Sequence, residues 1–287
     1  MRIGIGDVLP HRSPEEWADE IVEMGFRAAA FPGNYRQPDS LIDAYVRAAK
    51  ARDILIAEVG VWDNPFSPDI QAAKRAREAC VQQFRLADAI GARCCVNISG
   101  AFGPRWDFCY RENYTQEAYE KNVAFIRSLL DTVKPQHSCY TLESMQWMLP
   151  SSPEETLKII RDIDSPHFKA HVDICNMVND PYKFTHADEL IDRTFSLLGN
   201  QIVSCHLKDI TMEEESTVHI MEVLPGLGHM NLPRYLQRIS ELDDPEIPVL
   251  IEHLPDKASY EKAFAHVKAI GASWVSSKGV GYNAENR

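Results

Sequence analysis

Eight short apolar runs, each followed by a longer amphipathic stretch, divide this chain from one end to the other. No other feature limits its fold so strongly. The runs cover residues 2–6, 27–31, 54–60, 93–98, 139–143, 168–173, 202–208 and 248–252. Their shortness and their β-branched or aromatic content favour strands over buried helix. The stretches between them carry helix-start signals. Ser13-Pro14-Glu15-Glu16 and Ser152-Pro153-Glu154-Glu155 each place a capping serine before a proline at the first helical position. Asp39 or Ser40 is expected to cap a helix over 41–52, and longer helices fit 68–90 and 115–133, with Gly25 and Gly91 as stops.

Eight β-then-α units without a break in composition argue for parallel strands joined by right-handed crossovers. Eight is also the number that closes a (β/α)8 TIM barrel, and the length of 287 residues suits one such α/β domain. A doubly wound sheet is the alternative, but the first turn, Gly6-Asp7-Val8-Leu9-Pro10-His11, lacks the glycine pattern of a nucleotide-binding turn. The expected organisation is therefore a single domain over 1–287, with 271–287 a loosely ordered or docking tail.

Thirty basic residues against 42 acidic ones give a net charge of −12. Such a chain repels phosphate backbones, so no nucleic-acid partner is expected. No apolar run approaches the roughly 18 residues that span a bilayer, and the start lacks the apolar core of a secretory signal. Neither a membrane partner nor export is expected. The seven cysteines, without any Cys-x-x-Cys, read as buried thiols of a reducing cytoplasm. The run Glu213-Glu214-Glu215 reads as a solvated loop face.

In a barrel the catalytic groups stand at the C-terminal ends of the strands. The fifth run ends in Glu143, the sixth in His171-Val172-Asp173, the seventh in His206-Leu207-Lys208, and the eighth in Glu252 followed by His253. Three carboxylates converging on one mouth repel each other, and burying them unpaired is costly. A divalent cation removes that conflict. Oxygen donors from Glu143, Asp173 and Glu252 with one imidazole from His206 suit Mn²⁺ or Mg²⁺ first, with Co²⁺ and Zn²⁺ as alternatives.

These stretches carry a family likeness. Leu142-Glu143-Ser144-Met145, His171-Val172-Asp173-Ile174-Cys175-Asn176, Cys205-His206-Leu207-Lys208-Asp209, the segment from Glu222 to Gly228 and Ile251-Glu252-His253-Leu254 resemble the xylose-isomerase-like TIM-barrel superfamily. The likeness is strongest to its sugar phosphate isomerases/epimerases, ketose 3-epimerases and inosose dehydratases. It implies Glu143, Asp173, His206 and Glu252 as metal ligands, with Glu143 and Glu252 also exchanging protons with the substrate carbon from opposite faces. Two positions depart from the pattern. Asn176 stands where many members have a substrate-contacting histidine, and Glu222 stands where several ketose epimerases have an arginine. Asn176 can still hydrogen-bond a hydroxyl but cannot carry a proton.

Other residues are expected to contact substrate. Lys208 shares a strand face with His206. Glu58 and Asn97 close the third and fourth runs, Trp62 follows the third, and His11 follows the first. Trp106 and Trp147 are candidate pocket walls, and His171 a support one layer below Asp173. The turn Pro225-Gly226-Leu227-Gly228 permits close approach to substrate but is not a phosphate loop. The function expected is that of a metal-dependent isomerase or epimerase of a small ketose or keto-sugar, working through a metal-stabilised enediolate. A dehydratase acting on a keto-sugar or ketocyclitol starts from the same enolate and is the first alternative. A family 2 apurinic endonuclease-like phosphodiesterase is remote, because this chain offers one good histidine ligand and a net charge of −12. A homo-oligomer is compatible with the family likeness.

Overall fold

The computed structural model describes residues 1–279. In chain order it contains β1 (Arg2–Ile5), α1 (Pro14–Glu23), β2 (Ala28–Ala30), α2 (Asp39–Ala51), β3 (Leu55–Gly60), α3 (Ile70–Ile90), β4 (Cys94–Asn97) and α4 (Gln116–Val133). Then follow β5 (Cys139–Glu143), α5 (Pro153–Ile163), β6 (Phe168–Asp173), α6 (Ile174–Met177), α7 (Pro181–Thr185), α8 (Ala187–Leu198) and β7 (Ile202–Leu207). The chain continues through β8 (Asp209–Met212), β9 (Ile220–Val223), α9 (Leu232–Ser240), β10 (Pro248–Ile251) and α10 (Lys257–Gly279). Of the expected tail, 271–279 prolong α10, and 280–287 lie outside the described residues.

Strands β1 to β7 and β10 form a closed barrel in the order β1-β10-β7-β6-β5-β4-β3-β2. Every neighbouring pair is parallel, the arrangement of a (β/α)8 TIM barrel. The hairpin β8–β9 stands apart from the barrel as a two-stranded antiparallel sheet, an element the sequence reading does not contain. The acidic run Glu213-Glu214-Glu215 lies in its exposed turn.

Local chemistry explains where the helices begin. Ser13 Oγ accepts the Glu16 N–H and Ser152 Oγ accepts the Glu155 N–H, both at 3.2 Å, with a proline in each first turn. Asp69 caps α3 through Gln71 and Ala72 N–H groups, and that helix ends at left-handed Gly91. Helix α2 differs from expectation: it starts at Asp39, with Pro38 in the cap position and no side-chain cap.

The main core lies between barrel and helices, with Phe26, Phe84, Ile126, Tyr140, Ile159 and Ile191 almost fully buried. Smaller side chains fill the barrel interior, in two clusters, Ala28–Ala57–Leu250 and Cys94–Val96–Cys139. Two strand pairings slip by one residue. Ala29 of β2 faces Ile56 but Ala30 faces Glu58, and Ala170 of β6 faces Ile202 but His171 faces Ser204. Each slip is a β-bulge, with Ala57 or Val203 as the extra residue. Both extra residues join the small interior clusters, and the residues after them, Glu58 and Ser204, also turn inward.

Candidate metal centre and active site

Strand ends β5, β6, β7 and β10 bring Glu143, Asp173, His206 and Glu252 together, with Glu252 immediately after its strand. Each offers one ligand-type atom, and the four atoms lie within 4.8 Å of one another. His206 Nδ1 is 3.0 Å from Glu143 Oε1, 2.8 Å from Glu252 Oε1 and 3.8 Å from Asp173 Oδ2. Tyr235 of α9 donates its hydroxyl proton to the His206 carbonyl at 2.8 Å and so fixes the end of β7. Gly6 permits the packing of Glu252, because a Cβ there would sit 2.9 Å from the Glu252 Cβ.

Lys208 follows β7 and reaches the same cluster. Its Nζ lies 3.0 Å from Asp173 Oδ2, 2.8 Å from Glu252 Oε1 and 3.1 Å from Glu222 Oε1. Glu222 comes from the hairpin strand β9 and also binds His253 Nδ1 at 2.8 Å. Asn176, in α6, donates its side-chain amide to Glu143 Oε1 at 3.2 Å, and its backbone N–H to Asp173 Oδ1 at 3.0 Å. Gln146, which the sequence reading missed, donates to Asn176 Oδ1 at 3.0 Å and sets the rotamer of that amide.

Electrostatics in this mouth is dominated by burial and by opposed charge. Burial pushes Glu143 up, and its carboxyl ends above the usual range. Burial also opposes ionisation of Asp173, but Lys208 and His206 outweigh it and hold that carboxyl far below its ordinary value. Glu252 is likewise lowered to about 2, by His206 and Lys208 against its burial. Burial disfavours charge on His206 and Lys208, yet the surrounding carboxylates raise both. Glu58 and Glu222 add further negative charge, so acids outnumber the two cations.

The donor set fits a divalent ion on structural grounds. Asp173 Oδ2 and Glu252 Oε1 are fully buried and have no hydrogen-bond partner. Lys208 Nζ is near both and His206 Nδ1 is 2.8 Å from Glu252 Oε1, but these contacts are charge pairings without hydrogen-bond alignment. Two buried carboxylate oxygens with unused lone pairs, beside one imidazole nitrogen, are what a hard cation requires.

Three of the residues expected to contact substrate have protein partners for their polar atoms. Glu58 is 2% exposed, and its two oxygens face His171, Ser204 and His206 inside the barrel. Asn97 is fully buried. Its Oδ1 accepts the Asp63 N–H and its Nδ2 donates to the Asp63 carbonyl, so it pins the loop after β3. His11 uses Nδ1 on the Leu9 carbonyl and Nε2 on the Tyr45 hydroxyl, at 2.8 and 2.7 Å. In each case the fold brings a protein partner to these polar atoms, and all but the Leu9 carbonyl come from distant parts of the chain.

Trp62, in contrast, is 41% exposed in the left-handed region (φ 50°), with its indole folded over Gly60. It lines a cavity of ≈410 Å³ together with Gly6, Tyr35 and Arg36. On the other side of the cluster, Asn176, Glu222 and Gln146 line a second cavity of ≈250 Å³. A larger groove, ≈770 Å³, lies between α3 and α4 outside the barrel and holds none of these residues. Trp106 is exposed in the loop before α4, and Trp147 packs beside Ile98, Ala101 and Met148. The glycine turn after β9 is held by Asp209, whose carboxylate accepts the Gly226, Gly228 and Met230 N–H groups at 2.9–3.0 Å.

Comparison with solved structures gives the same barrel. L-ribulose 3-epimerase superposes with a TM-score of 0.73 at 16% identity, covering 99% of each chain. D-psicose 3-epimerase from Clostridium cellulolyticum H10, solved with D-tagatose, gives 0.69 at 13% identity over 94% of this chain and 99% of the other. A xylose isomerase-like TIM barrel protein from Mycobacterium smegmatis in complex with magnesium gives 0.67 at 13% identity, over 89% of this chain and 87% of the other. No curated protein sequence matches the chain significantly. The sequence profile for xylose isomerase-like TIM barrels matches residues 18–270. By that match, spread over nearly the whole barrel, the chain belongs to the xylose isomerase-like TIM barrel family.

Proposed function

We propose that this protein is a divalent-metal-dependent isomerase or epimerase of a small ketose or keto-sugar. The observation that carries the reading is the convergence of Glu143, Asp173, His206 and Glu252 at one barrel mouth, with two buried carboxylate oxygens among them held by charge pairing and not by aligned hydrogen bonds. Structural neighbours with ketose 3-epimerase activity support the class of substrate. Mn²⁺ is the first candidate, with Mg²⁺, Co²⁺ and Zn²⁺ behind it.

In this reading Glu143, Asp173, His206 and Glu252 hold the ion. When bound, it supplies Lewis acidity to a carbonyl and an adjacent hydroxyl. Glu143 and Glu252 come from strands on opposite sides of His206, so a sugar carbon between them meets one carboxyl on each face. One glutamate, ionised, would take the proton from the carbon, and the other, protonated, would deliver its own proton to the opposite face. Lys208, Asn176 and Glu222 orient substrate oxygens through charge and hydrogen bonds, and Trp62 walls the cavity beside Gly6. Asn176 can align a hydroxyl without moving a proton, which leaves proton transfer to the two glutamates.

The test is a screen of the metal-loaded protein against ketoses, keto-glycosides and ketocyclitols in D₂O, with products identified by NMR. A stereoisomer or an aldose–ketose pair carrying deuterium at the reacting carbon is expected. An unsaturated product would instead assign a dehydratase. Turnover that survives complete chelation would overturn the metal-dependent reading.

A further inference from the structure

Beside the four candidate ligands lies a second buried group, which shares His206 with them and whose other members, Glu58, His171 and Ser204, the reaction just described does not use. Glu58 Oε1 accepts the Ser204 hydroxyl at 2.5 Å and faces His171 Nε2 at 2.8 Å, while Glu58 Oε2 faces His206 Nε2 at 3.2 Å. All four side chains are at most 2% exposed. Glu58, His171 and His206 also have the residue types of a metal site. Their separations, however, are those of hydrogen bonds, and Ser204 adds a donor. The group is therefore closed by its own protons.

A carboxylate can only accept. His171 and Ser204 already give protons to Oε1, so the imidazole nitrogen opposite Oε2 must carry a proton as well. His206 is thereby held with hydrogen on Nε2. The ring's other nitrogen, Nδ1, is the one that faces Glu143, Asp173 and Glu252. The rings of His171 and His206 meet edge to face at 4.3 Å between centroids, so neither can rotate without displacing the other.

We propose that Glu58 is a positioning residue, which fixes the Nε2–H form and ring orientation of His206 so that Nδ1 is presented to a divalent ion. His171 and Ser204 hold Glu58 in place for this task. The proposal rests on the metal-dependent reading above and assigns a role to residues that reading leaves idle. Carboxylate partners of metal-bound imidazoles typically govern metal affinity by about 10–100-fold.

Two measurements test it. In the intact protein loaded with Zn²⁺ alone, ¹⁵N–¹H NMR of the His206 ring is expected to show a protonated Nε2 and a metal-bound Nδ1. Zn²⁺ on Nε2, or an Nε2 without its proton, would overturn the proposal while leaving a metal site in place. Second, Glu58→Met removes both acceptor oxygens at similar volume. Its affinity for Mn²⁺ or Zn²⁺, measured by competition with a chelator, is expected to fall about 10–100-fold. A folded Glu58→Met protein with unchanged affinity would also overturn it. If the unaltered protein binds no divalent ion at all, the proposed function falls together with this inference, and the two failures are thus told apart.

Discussion

Lys208 Nζ lies 3.0 Å from Asp173 Oδ2, and both side chains are almost completely buried. Lys208 also faces Glu252 and Glu222, so removing its ammonium leaves three carboxylates of the mouth short of a buried cation. Lys208→Met is therefore expected to cost about 3–5 kcal/mol in the metal-free protein. A divalent ion at about 100 times its dissociation constant should return about 2.7 kcal/mol. Thermal unfolding with and without Mn²⁺ checks this: the metal-induced rise in Tm should persist in the variant. An undiminished Tm in metal-free Lys208→Met would show that the pair contributes nothing.

Glu252 separates proton transfer from ligation. Glu252→Gln keeps the shape and one oxygen donor but removes the base. Activity at saturating metal is expected to stay about 10² to 10⁴ below that of the unaltered protein, the usual worth of a general acid or base. Solvent deuterium exchange at the substrate carbon should fall in step with turnover. Full rescue by excess metal would rule out a proton-carrying role for Glu252.

Asp209 is 1% exposed and gathers the N–H groups of Gly226, Gly228 and Met230 onto one carboxylate. Asp209→Ala would leave those donors without partners, at about 1–3 kcal/mol for each one that stays buried. Hydrogen exchange at 226–230 should accelerate by more than at the barrel strands. Equal acceleration everywhere would mean that the carboxylate supports the fold at large and not this turn.

Asp88 provides a pH-dependent case remote from Glu143, Asp173, His206 and Glu252. Its Oδ1 accepts the N–H groups of Gln136, His137 and Ser138, at 2.6–2.9 Å, just before β5. Burial opposes its charge, but those three donors win and lower its pKa. A carboxyl lowered in the folded state contributes its stability above the unfolded value of about 3.9, and loses it as pH falls through the folded value. The difference in urea midpoint between the unaltered protein and Asp88→Ala should be full at neutral pH and shrink below about pH 4. A difference independent of pH would exclude an ionised Asp88 as the cause.

The barrel was legible because its signals repeat. Apolar runs of strand length mark each unit, serine caps followed by proline open α1 and α5, and the strand ends that carry Glu143, Asp173, His206 and Glu252 point to one mouth by simple alternation. Less legible was what each polar side chain does once buried. Asn97, His11 and Glu58 look like ligand-binding groups in the sequence, yet nearby partners, Asp63, Tyr45 and His171, occupy their polar atoms. Ser204 could have been found, since it shares the period-two face of His206. The hairpin β8–β9 was hidden because its strands are only four residues long and β8 follows the seventh barrel strand after the single residue Lys208, so that its Asp-Ile-Thr-Met alternation merges with that run.

The extra residues at Ala57 and Val203 have a consequence for anyone transplanting or redesigning this mouth. In an unbroken pleat, Glu58 would share its side of the sheet with Ile56 and point at the helices. The half-step supplied by Ala57 rotates it onto the inner wall, and Val203 does the same for Ser204 on the far side. The meeting of a third-strand carboxylate with a seventh-strand hydroxyl therefore depends on the count of residues as much as on their kind. A chimera that copied each polar side chain but omitted one alanine would keep every chemical group and lose their encounter.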